Sequence, residues 1–108
     1  MNNESIIART VNVAGLIACQ EGSIVSRTII DKPEGTVTVF AFDTGQALSE
    51  HTAPYDAIVH VLDGEAEVTI SGKSNIVKAG EMIVMPASDP HALKALTPFK
   101  MMLIMVKA

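Results

Sequence analysis

A chain of 108 residues is long enough for one domain with one core and leaves little for a second. With 48% apolar and 19% charged residues it has a globular balance, which excludes extended disorder. The net charge is −4 and the basic residues are scattered, which excludes an electrostatic nucleic-acid surface and a basic membrane-surface helix.

Cys19 is the single cysteine, so neither an internal disulfide nor a cysteine-based zinc site is expected. The stretch from Met1 to Arg9 lacks the basic-then-apolar order of a signal peptide. No apolar run approaches the roughly 20 residues of a spanning helix. A cytoplasmic location is the resulting expectation.

Along the chain, residues 1–22 are expected to pack as a segment on a main domain of residues 23–108. Within that segment, residues 13–19 read as a short strand or a turn of helix. Residues 23–31 are rich in β-branched side chains and stop at Lys32, Pro33, Glu34 and Gly35, a turn cluster. Strands are then expected at residues 36–43, 47–51 and 56–63, ended respectively by Thr44-Gly45, Pro54 and Gly64. Residues 65–70 alternate, with Ala66, Val68 and Ile70 on one face and Glu65, Glu67 and Thr69 on the other. Residues 71–75 turn the chain. Short strands follow at 76–78, 82–85 and 91–96, and residues 99–107 close the domain. Short strands punctuated by turn residues predict an all-β sandwich or barrel.

Two strands are apolar on both faces. Residues 99–106 set Phe99, Met101, Leu103 and Met105 against Lys100, Met102, Ile104 and Val106. Residues 56–63 set Ala57, Val59 and Val61 against Ile58, His60 and Leu62. A sheet with one buried face alternates apolar with polar, so a second burial partner is expected. The preferred partner is a second copy, a homodimer. The alternative is cover by residues 5–22.

The chemistry turns on His51, His60 and His91. The spacing from Gly45 through His51, Ala53 and Ala57 to Gly64 resembles the first motif of the cupin superfamily, G-x5-H-x-H-x3,4-E-x6-G. The spacing from Gly80 through Pro86 and Ser88 to His91 resembles its second, G-x5-P-x-G-x2-H-x3-N. The resemblance spans about half the chain and is closest to small single-domain cupins of the cupin_2 type. It implies a jelly-roll β-barrel, or double-stranded β-helix, with its site inside. It also implies a centre of three histidines and a glutamate that holds iron, manganese, nickel, copper or zinc.

Here Ala53 replaces the second histidine and Ala57 the glutamate. His51 and His91 remain as candidate ligands, with Asp56 or His60 able to join only if a bulge turns them inward. His60 otherwise reads as a packed or interface histidine, and Cys19 as buried and inert. Tyr55, Met82 and Met85 are candidate pocket residues, and Ser88 should alter the turn before His91. Two alanines enlarge a pocket without adding polarity. The leading expectation is therefore a barrel that binds a small organic molecule through His51 and His91. The rival is a metal-dependent oxygenase, isomerase or lyase of a small metabolite. A sensory domain acting through a separate protein is a weaker third.

Overall fold

The computed structural model describes residues 5–107. After a single 3-10 turn at Val13–Leu16, nine strands follow: β1 Ile24–Lys32, β2 Gly35–Phe42, β3 Ala47–His51, β4 Asp56–Asp63, β5 Glu65–Ile70, β6 Lys73–Lys78, β7 Met82–Met85, β8 His91–Ala95 and β9 Phe99–Val106. They form a five-stranded sheet in the order β1-β2-β9-β4-β7 and a four-stranded sheet in the order β3-β8-β5-β6. Every recorded strand pair is antiparallel. This is the two-sheet all-β architecture that the strand punctuation predicts, and the jelly roll that the motif resemblance implies. Among the described residues, no helix is long and apolar enough to cross a membrane.

Most strands match their expected bounds within a residue or so. The exception is β6, which begins at Lys73 because Ser71 and Gly72 alone make the turn, both with positive φ (49° and 81°). A two-residue turn of that hand suits the twist of a hairpin.

The inner faces of the sheets meet in one core. Phe42, Val59, Val61, Val68, Phe99 and Met101 are fully buried in it. Phe42 and Phe99 face each other across the β2–β9 ladder and stack with ring centroids 4.6 Å apart. Gly64 turns the chain beside them in the left-handed region, at φ 76°. A Cβ there would lie 2.1 Å from the Pro98 carbonyl oxygen, so only glycine lets the β4–β5 turn approach β9 so closely.

A second, smaller cluster lies on the outer face of the five-stranded sheet. Val13, Leu16, Ile17 and Cys19 pack there against Val39, Ala41, Leu62 and Met102. The Lys100 ammonium pins this segment by donating to the Ala14 carbonyl at 2.7 Å. Cys19 is half-buried beneath it, its Sγ 3.5 Å from the Phe42 carbonyl oxygen. The N-terminal segment thus covers part of the outer apolar face, and Met82 and Val84 on β7 stay about half exposed.

Candidate functional site

His51 and His91 face each other directly across the β3–β8 ladder. Reaching that position requires a change of pleat in β3. Leu48 pairs with Leu93 and His51 with His91, so two residues of β3, Ser49 and Glu50, oppose only Ala92. This is a β-bulge. With regular alternation from inward-facing Leu48, His51 would point to solvent; the extra residue turns it inward.

Each imidazole is anchored through Nδ1. That of His51 lies 2.8 Å from the Ser49 carbonyl oxygen, inside the bulge. That of His91 lies 3.2 Å from the Asp89 carbonyl oxygen. A carbonyl only accepts, so the network assigns the proton of both rings to Nδ1. Both Nε2 atoms then present lone pairs, and they converge to 3.1 Å with the rings at 74°. Two lone pairs at that distance repel unless a proton or another electrophilic group lies between them. Such a geometry can share a proton, take a polar hydrogen from a ligand or face a cation.

The loop that carries His91 is held at two points. The Asp56 carboxylate accepts from the Ala87 amide at 2.9 Å. The Ser88 amide donates to the Ala53 carbonyl at 2.7 Å. Ser88 adopts φ 70°, the left-handed conformation at the position where the motif has glycine.

Behind the pair lies a cavity of about 60 Å³. Leu48, Ala53, Ala57, Met85 and Leu93 form part of its wall, and Met101, Leu103 and Met105 of β9 the rest. His51 is exposed at the mouth and His91 is 4% exposed. Apart from the two imidazoles the lining side chains are apolar. Alternation along β9 could have revealed Met101, Leu103 and Met105, since they share the face of Phe99.

Of the other candidates, Met85 lines the cavity, whereas Met82 lies on the opposite face of β7 and is 56% exposed. Residues three apart in a strand point to opposite sides, so Met82 and Met85 cannot both face inward. Tyr55 is not among the cavity walls; the Lys107 ammonium sits 5.4 Å from its ring centroid. His60 pairs with Met82 and Met102 on the outer face, and Asp56 shares that face.

Burial lowers the pKa of His91 below the usual histidine value; the Asp89 carbonyl opposes this shift and the charge of His51 adds to it. The folded value thus lies below the unfolded one of about 6.5. The stabilising contribution is complete above that pH and is lost as pH falls through it toward the folded pKa. Urea unfolding at neutral and mildly acidic pH should show a smaller acid loss for His91→Gln than for the native chain. An equal loss would assign the pH dependence to other groups.

At metal–nitrogen bonds of about 2.0–2.1 Å, Nε2 atoms 3.1 Å apart fit two adjacent corners of a coordination sphere. Among the described residues Ala53 and Ala57 stand beside the pair and supply no donor to the remaining corners. Among the described residues no three His, Cys, Asp or Glu side chains form a metal-holding group. Two ligands fall short of the three or four of established sites, so the residues present do not fit a resident catalytic metal.

Two antiparallel sheets around one core, with inward-facing histidines on adjacent strands, define a small jelly-roll barrel of the cupin class. The chain belongs to the Cupin_2 family, whose cupin-domain model matches residues 38–107. A conserved protein of unknown function from Streptococcus pyogenes is 38% identical, with 94% of this chain and 89% of that one covered and a TM-score of 0.90. A Cupin 2 conserved barrel domain protein from Leptotrichia buccalis is 46% identical, with a TM-score of 0.87; 90% of this chain is covered but only 47% of that one. A cupin superfamily protein from Desulfitobacterium hafniense is 25% identical, with 94% and 93% covered and a TM-score of 0.89. A search of the curated proteins found no match.

Proposed function

We propose that this barrel binds a small organic molecule with one oxygen-bearing head, such as a short-chain carboxylic acid or carbonyl compound. The observation that carries the reading is the convergence of the two Nε2 atoms at the mouth of an otherwise apolar cavity. Burial disfavours charge on His91, which keeps its Nε2 as an acceptor for a ligand hydroxyl hydrogen. The His51 Nε2, 3.1 Å away at the exposed mouth, would face the same head group. The apolar part of the ligand would lie against Leu48, Leu93 and the methionines.

Size supports a compact ligand. A volume of about 60 Å³ is well below the roughly 300–1,000 Å³ of drug-sized sites. Three of the wall residues are methionines, whose unbranched side chains readjust easily.

The test is NMR titration of the full chain with a panel of short-chain monocarboxylates and their 2-oxo forms. At least one should shift the ring signals of His51 and His91 saturably, and His51→Ala and His91→Ala should abolish the effect. Stoichiometric metal in protein purified without chelator, lost in both variants, would overturn the reading in favour of a metal-dependent enzyme.

A further inference from the structure

The mouth of the barrel has two walls, and the histidines occupy one of them. His51 and His91 stand on the four-stranded sheet, at β3 and β8. The facing wall is the five-stranded sheet, where Ala57 of β4 and Met105 of β9 pair with each other and line the cavity. Asp56 and Val106 are the next pair along the ladder. Tyr55 and Lys107 follow them, just past the strand ends. Side chains alternate along a strand, so Tyr55 and Lys107 return to the cavity side, about 6.8 Å beyond Ala57 and Met105, at the rim. Their contact agrees with a shared side: the Lys107 ammonium lies 5.4 Å from the Tyr55 ring centroid.

This seat leaves the cation available. A ring face attracts an ammonium but does not neutralise it as a carboxylate would. The Lys107 backbone is held separately, its amide donating to the Glu34 carbonyl at 2.7 Å. Among the described residues the Lys107 ammonium forms no ion pair. Glu34, opposite it in the ladder, is exposed. The Asp56 carboxylate holds the Ala87 amide on the outer side of β4.

The histidine wall lacks what Lys107 supplies. With their protons on Nδ1, both imidazoles present acceptors to the mouth. Burial disfavours charge on His91, and Glu50 and Asp89 flank the pair in the chain. Such a wall takes a hydroxyl hydrogen but gives an anion no counter-charge. A lysine ammonium does the reverse. One molecule satisfies both walls if it carries a hydroxyl and a carboxylate on neighbouring carbons, followed by a short apolar chain.

We propose that Lys107, seated on the Tyr55 ring, is the anion-binding residue of the mouth, and that the barrel takes a short-chain 2-hydroxycarboxylate. The inference rests on the small-molecule reading of the cavity and names its ligand class. The hydroxyl donates to the His91 Nε2, the carboxylate faces Lys107 across the mouth, and the alkyl chain enters the apolar cavity.

NMR titration of the full chain with 2-hydroxybutyrate, its amide and butyrate tests the proposal. The native chain should bind 2-hydroxybutyrate at least about tenfold more tightly than either of the others, since the amide lacks the charge and butyrate the hydroxyl. Lys107→Met keeps an apolar stem and the backbone bond to Glu34. It should abolish the preference over the amide, keep the preference over butyrate and leave the circular dichroism spectrum unchanged. Lys107→Arg should retain both preferences. Should Lys107→Met disturb the fold, Glu34→Gln tests the same charge with the opposite sign: by removing an acidic neighbour it should tighten the acid and not the amide. Equal binding of the acid and its amide by the native chain would overturn the proposal and leave the small-molecule reading standing. So would a preference that survives Lys107→Met. If none of these ligands, nor any of the wider carboxylate panel, shifts the ring signals of His51 and His91, both readings fall.

Discussion

Replacing Phe99 by alanine is expected to lower the unfolding free energy by about 3–5 kcal/mol, the cost of emptying a large aromatic site in a packed core. Phe99 is fully buried and stacks on Phe42, itself fully buried and in contact with Phe40 at a centroid distance of 6.1 Å. The site cannot collapse easily. One side is the Gly64 turn, where a Cβ would already lie 2.8 Å from that of Phe99, and the other is the ladder to β2. Against a total stability of about 5–15 kcal/mol for a domain of this kind, the loss is about a fifth or more. Urea unfolding monitored by circular dichroism measures it. Ile76→Ala, on a half-exposed side chain, should shift stability by less than about 0.5 kcal/mol. A Phe99→Ala loss as small as that of Ile76→Ala would mean that the aromatic stack does not anchor the core.

Much of this architecture is legible in the sequence because its turns announce themselves. Gly45, Gly64 and Gly72 all have positive φ, and each stands where the sequence predicts a turn. Inward positions follow from alternation once a strand is placed, as in Ala66 and Val68 of β5. The N-terminal segment is less legible. A 3-10 turn of four residues has too few apolar positions to show a period, and its docking depends on a long-range bond from Lys100.

The site is less legible because it depends on a change of pleat. The spacing of Gly45, His51, Gly80 and His91 marks the positions, but no residue type between Leu48 and His51 announces the bulge that turns His51 inward. Met82 illustrates the converse: in the regular strand β7, parity alone separates it from Met85. By spacing, Asp56 is a stand-in ligand only if a bulge turns it inward. Its carboxylate instead holds the Ala87 amide on the outer side of β4, so it positions the loop that carries His91. Such a role depends on a contact between residues 31 apart in the chain, which spacing does not disclose.

The absence of two donors beside the histidine pair leads to the prediction with the largest functional effect. The Ala53→His, Ala57→Glu double variant is expected to gain a divalent zinc or nickel ion that the native chain does not retain. Both alanines line the cavity with His51 and His91, and the two existing Nε2 atoms already fit adjacent coordination corners. Four-ligand zinc sites bind with about 10–16 kcal/mol, or about 3 kcal/mol per ligand. Two added donors should therefore raise affinity by well over 100-fold. Without metal the same variant should be less stable than the native chain by about 1–3 kcal/mol, because a carboxyl group then sits in an apolar cavity. Elemental analysis after desalting, and thermal unfolding with and without chelator, give the two readouts. Chelator should lower the melting temperature of the double variant and leave that of the native chain unchanged. If the native chain retains metal as firmly as the variant, the two alanines are not what limits the site. The pair would then complete its coordination from outside the described donors, and the small-molecule reading would give way to a metal-dependent one.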